Sequence, residues 1–277
     1  MLRHLLLLCL IVHAAAGEAP ATPQQAALQQ SMEAARKLDR ERKWAPAVDA
    51  ALAALPAYDA AAAAKVKWSW SDLDHLRWAG GVARRIKRAD DAVVFAEKLL
   101  AVAGDDNGWV IGARSDLAAA RVLQGKAGEA DAIYAELLAS GDDRAADAML
   151  NRALLLLREL DRRDEGLKLF EQALVNEKIA GWRRYNEAYD EARRQRNLGD
   201  LAAAEGLYNL ILSMPAKTDE QGKRSPAALV ELGAIAEGRG DTAKAKQLYA
   251  KALASEGADQ GTRVRARNAL ESITYFE

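Results

Sequence analysis

Thiols and imidazoles are almost missing from this 277-residue chain, which has one cysteine, Cys9, and three histidines, His4, His13 and His75. With no second thiol the chain closes no internal disulfide, so its stability rests on packing. A zinc centre or a histidine-activated nucleophile would have to run through His75, since the other three residues fall in the first thirteen positions. Within Asp72, Leu73, Asp74, His75, Leu76 and Arg77 that imidazole reads as a solvated or core-edge side chain in the first turns of a helix. Charge excess is missing too: 39 Lys and Arg stand against 40 Asp and Glu, a formal charge of −1. General nucleic-acid binding, which needs cations to neutralise phosphates, is therefore not expected. No run of alternating apolar residues predicts a strand, so no glycine loop can sit between a strand and a helix to cradle phosphate. Paired acids such as Asp105 and Asp106 fall on turns, and neither a cofactor site nor a catalytic set emerges.

The N-terminus has the layout of an export signal. Arg3 and His4 precede an apolar run from Leu5 through Val12, and Ala14, Ala15, Ala16 and Gly17 supply small residues for cleavage. The run is too short for a bilayer, which takes about 20 apolar residues. Cleavage near Ala16 or Gly17 is expected, giving residues 1–17 as a signal peptide and a periplasmic or secreted mature protein of a Gram-negative bacterium. A lipoprotein anchor at Cys9 fits poorly, because Leu6, Leu7 and Leu8 stand where that signal wants small side chains.

What the chain does have is a period. Tyr134, Phe170, Tyr208 and Tyr249 return at intervals of 36, 38 and 41 residues, and these are four of its ten Phe and Tyr residues. Periods of this length mark stacked helical hairpins. The last unit shows the pattern: Leu229, Leu232, Gly233 and Ala236 form one apolar stripe, then Gly238, Arg239, Gly240 and Asp241 break the helix. Ala245, Tyr249 and Ala252 form a second stripe at i, i+4 and i+7. Gly240 suits a left-handed helix terminus and Asp241 an N-cap. Gly104, Asp105, Asp106 repeats 37 positions later as Gly141, Asp142, Asp143, and both copies read as a helix end followed by a cap. They lack the ligand spacing of an EF-hand. Residues 262–277 read as a closing helix with Ala266, Ala269, Leu270 and Ile273 on one face.

These residues resemble the tetratricopeptide repeat family. The small residue that opens each second helix would be Ala47, Ala92, Ala130, Gly166, Ala204 and Ala245, each followed by an aromatic. The first unit departs from this with Ala51 at the aromatic position, and Phe95 sits one place off the frame set by Ala92. The resemblance implies an all-α fold, a right-handed α-solenoid of about six hairpins over residues 18–261 with residues 262–277 as cap. It also implies a non-catalytic scaffold that binds another protein or peptide in a groove lined by the first helices. The family's groove positions fall on Arg77, Arg84, Ser115, Asn151, Arg158, Asn186, Tyr189, Arg193 and Arg196, with Asp74 the nearest acid. Five arginines and no carboxylate favour an acidic or C-terminal peptide segment. Pairs such as Asp190 with Arg193 and Arg194 also fit ordinary surface bridges.

The link between the first two units is long and carries Tyr58, Ala60 through Ala64, Trp68 and Trp70, with Trp78 following. Trp68, Trp70 and Trp78 either cover a helix junction or form a stacking platform for a glycan. The competing functional classes are thus a carbohydrate-binding module and an accessory subunit of an envelope enzyme complex.

Overall fold

The computed structural model describes residues 22–214 and 219–275, and the signal-peptide expectation lies outside them. All regular structure among the described residues is helical. The chain divides into two compact units, residues up to Ile133 and residues from Tyr134.

In the first unit α1 (Pro23–Arg40) pairs with α2 (Trp44–Ala53), and α3 (Leu55–Ala63) follows. The second hairpin joins α4 (Trp70–Arg85) to α5 (Ala89–Val102). The third joins α6 (Asn107–Leu123) to α7 (Ala127–Ala139), inside which the boundary between units falls. In the second unit a 3₁₀ turn (Asp143–Ala145) leads into α8 (Ala146–Arg158), which pairs with α9 (Arg163–Val175). Next come α10 (Gly181–Asn197) with α11 (Leu201–Ser213) and α12 (Asp219–Gly238) with α13 (Thr242–Ala254), and α14 (Gln260–Tyr275) ends the array. Successive first helices touch, α1 to α4 to α6 in one unit and α10 to α12 to α14 in the other.

The hairpin turns repeat one backbone device. Arg42, Lys87, Gly125, Asp161, Gly199 and Gly240 all have positive φ, and each lies five residues before its hairpin's small residue (47−42 through 245−240). In five of the six, the next N–H bonds back to the carbonyl five residues earlier, as in Lys43 to Leu38 at 2.9 Å and Asp241 to Ala236 at 2.9 Å. That is the Schellman closure, which satisfies carbonyls orphaned at a helix end. The fourth hairpin is one residue wider, with Arg162 bonding to Leu156. The last two second helices are also side-chain capped, Asp200 accepting from Ala203 N and Asp241 from Lys244 N.

This turn settles the register of the first two hairpins. Ala47 and Ala92 occupy the buried small position, as do Ala130, Gly166, Ala204 and Ala245. Phe95 is fully buried despite its offset, since i+3 and i+4 share a helix face. Ala51 stands where an aromatic is expected, and Tyr58 of α3, a helix the sequence reading treated as a link, belongs to the same buried cluster; Tyr58 is fully buried and donates to the Asp72 carbonyl at 2.6 Å. Two glycines mark the tightest crossings. A Cβ on Gly166 would lie 2.7 Å from Leu157 Cγ, and one on Gly233 2.6 Å from Tyr249 Cε1.

Left-handed backbone costs a non-glycine residue about 1–2 kcal/mol, partly offset by the roughly 0.5–1 kcal/mol of extra entropy glycine loses on folding. Lys87→Gly should therefore raise stability by about 0.5–1 kcal/mol, while Gly125→Ala should lower it. Urea midpoints of the two variants check the opposite signs.

Candidate partner-binding faces

Along the first helices, arginines meet carboxylates one hairpin away. In the first unit Arg36 of α1 pairs with Asp74 of α4 at 2.6 Å, and Arg84 and Arg77 of α4 both reach Asp116 of α6, at 2.9 and 3.5 Å. In the second, Arg158 of α8 pairs with Glu191 of α10 at 3.0 Å. Glu231 of α12 holds both Arg196 of α10 and Arg265 of α14, the latter at 2.8 Å, and accepts from the Tyr189 hydroxyl at 3.4 Å. Each arginine keeps part of its surface in water, whereas Glu191 is fully buried and Glu231 is 4% exposed. Glu191 also accepts from Gln195 at 2.6 Å and pairs with Arg194 at 3.1 Å. Asp116, Glu191 and Glu231 are the residues that sequence reasoning missed. Their signal was an acid about one hairpin length from each arginine.

The predicted groove residues all lie on first helices, but the structure gives them different standing. Arg77 and Arg84 converge on Asp116. Burial pushes the Asp116 carboxyl above its ordinary range, against the pull of Arg84 and then Arg77. Asn151 accepts from Arg183, and Ser115 and Asn186 lie half-buried on α6 and α10. Tyr189 is buried and packs edge-on against Tyr208, with ring centroids 5.8 Å apart. Arg158 and Arg196 hold buried acids, and Arg193 stands exposed on α10. Arg194 pairs with Glu191 rather than with Asp190.

The tryptophans do not form one platform. Trp68 stacks on buried Tyr58 at 5.4 Å. Trp78 donates to Asp39 at 2.9 Å and lies beneath the Arg36 guanidinium, 5.1 Å from its ring centre, so it ties α4 to α1. Trp70 is 69% exposed and meets Trp109, which the sequence reading had not singled out, at 5.9 Å and 56°. His75 is buried at the edge of the core, and burial followed by the nearby Arg36 charge lowers its pKa, opposed by Asp72, Asp74 and Glu33. Among the described residues, no group of three His, Cys, Asp or Glu side chains could hold a metal ion. No described helix is long and apolar enough to cross a membrane.

The second helices of the second unit offer one further concavity. Glu171, Gln172 and Val175 of α9 and Gly206, Asn209, Leu210 and Ser213 of α11 line an open groove of about 600 Å³.

Paired helices with a small residue at each crossing, an aromatic one turn later and a common turn decide the fold. It is tetratricopeptide-like. No family model and no curated protein matches the chain. Among solved structures, the chain is similar to BtubC (BKLC) from P. vanneervenii, at 16% identity and a TM-score of 0.47, over 91% of this chain and 93% of that one. It is also similar to a tetratricopeptide repeat protein from Parabacteroides merdae ATCC 43184, at 14% identity and a TM-score of 0.37, over 90% of this chain and 99% of that one.

Proposed function

We propose that the chain is a non-catalytic scaffold which, after export to the cell envelope, holds a partner protein or peptide on the first-helix face of its second unit. The observation that carries this is the set of half-exposed guanidinium groups of Arg158, Arg196 and Arg265, each pinned by a carboxylate of a neighbouring first helix. Arginines positioned in this way lose little side-chain entropy on meeting a ligand. An acidic segment or a C-terminal carboxylate is the matching chemistry, met by two-pronged hydrogen bonds.

The arrangement also chooses the test. Reversing Arg196 would set a second acid against buried Glu231, so a lost partner would report only on folding. Arg193 is exposed and lacks that role. A photo-crosslinking residue at Arg193, in the cells that produce the protein, should capture a defined partner, and one at exposed Lys251 on α13 should not. Arg193→Glu should weaken recovery of that partner about tenfold or more while helicity is kept. Equal recovery with Arg193→Glu would remove the groove reading. Sizing the mature chain in the same cells tests cleavage of residues 1–17.

A further inference from the structure

We propose that the first unit carries a binding site for an acidic polysaccharide, a chain of uronate-type pyranosides, formed by Trp70 and Arg77 of α4 with Trp109 of α6. Positions 70, 77 and 84 fall at i, i+7 and i+14 and so lie on one face of α4; 109, 112 and 116 lie on one face of α6. The two faces are in register. Trp70 meets Trp109, the Arg77 guanidinium lies against Gly112, where a Cβ would sit 3.6 Å from Cζ, and Arg77 and Arg84 share Asp116.

Three features select the ligand. First, the Trp70 indole is 69% exposed and meets Trp109 at a tilt, which leaves an open aromatic corner. Side-chain anchors of a peptide gain their energy in enclosed, desolvated pockets, whereas a pyranose presents a broad C–H face that needs only one open indole, with its negative π surface. Second, one carboxylate, Asp116, serves two guanidinium groups, and Asp74, between Trp70 and Arg77, is already matched by Arg36 at 2.6 Å, so the stripe keeps a positive charge. Arg77 has 54% of its side chain exposed, and the buried Nη1 of Arg84 has no hydrogen-bond partner. A planar guanidinium of this kind accepts a carboxylate two-pronged. Third, Trp70 and Arg77 are two helical turns apart, about 10.5 Å along the axis. That exceeds the spacing of directly linked rings, so one ring stacks on Trp70 while the carboxylate of the next ring but one reaches Arg77. Gly112 keeps the surface beside Arg77 low, and Gly81 does the same between Arg77 and Arg84, since a Cβ on Gly81 would meet only Arg84 Nη2, at 3.9 Å.

The site is independent of partner capture in the second unit, so either can fail alone. The test is tryptophan fluorescence and calorimetric titration of the full chain with tetragalacturonate, with its methyl-esterified form and tetraglutamate as comparison ligands. The expected result is binding of tetragalacturonate, at least tenfold weaker for the ester and for tetraglutamate, and weakened by salt. Trp70→Ala should lose binding at least tenfold with unchanged helicity. Arg77→Gln should bring the acid down to the affinity of the ester while stacking is retained. The proposal is overturned by absence of binding at millimolar tetragalacturonate, by unaltered binding in Trp70→Ala, or by equal affinity for tetraglutamate, which would make the stripe an acidic-peptide site. Trp70→Phe, which keeps an aromatic face, should restore much of the loss and so separates stacking from folding.

Discussion

Phe170→Ala should destabilise the second unit by about 3–5 kcal/mol, the usual cost of emptying a buried aromatic site. Phe170 is fully buried on α9, in a cluster that includes Leu157 of α8, Tyr189 of α10, Tyr208 of α11 and Leu232 of α12. Each hairpin packs mainly on its neighbours, so the cavity weakens the interfaces on both sides of α9 and the loss should extend beyond its own hairpin. Urea unfolding followed by circular dichroism measures the change, and hydrogen exchange should show reduced protection in α8, α10 and α11. Leu198→Ala is the control. Leu198 is 62% exposed, and its truncation should cost less than about 0.5 kcal/mol. Similar losses for the two variants would refute the role given to the repeating aromatics.

A second large effect is expected where Glu231 meets Arg196 and Arg265. The carboxylate is almost completely buried, while the arginine side chains are 33% and 49% exposed. The two sides of the cluster should therefore respond unequally. Removing both arginines, as Arg196→Met with Arg265→Met, leaves a charge in the interior with only the Tyr189 hydroxyl to meet it and should cost about 3–5 kcal/mol. Glu231→Gln instead leaves two arginines that can turn to water, and its cost should stay near 1–2 kcal/mol, that of an imperfect hydrogen bond. Adding Glu231→Gln to the double variant should recover much of its stability. Thermal unfolding of the four proteins decides the matter. A double variant less affected than Glu231→Gln would mean that the carboxylate is better hydrated than its burial indicates.

How much of this was legible in the sequence follows from the range of each interaction. The aromatic period, the glycine and aspartate turn at Gly240 and Asp241, and the closing helix over Ala266 and Ile273 are local or periodic signals, and the structure carries each of them. Helix α3 was hidden because its alanines hold no amphipathic pattern, and Tyr58 stands outside the repeat frame. The groove was read as five arginines without an acid because it was taken position by position. Asp116, Glu191 and Glu231 become partners only when adjacent first helices lie side by side. The tryptophans were grouped by closeness along the chain, yet Trp68 turns to Tyr58, Trp78 to Asp39 and Trp70 to Trp109.

By itself, then, the amino-acid order determined that the chain forms helical hairpins, that the last of them turns back at Gly240 and Asp241, and which small residue opens each second helix. All of these depend on backbone propensity and on residues within a few turns of one another. Tertiary structure alone decided which charges are neutralised and which aromatic faces stay open. Those outcomes are set by side chains 30 to 40 residues apart, whose meeting depends on how one hairpin settles against the next.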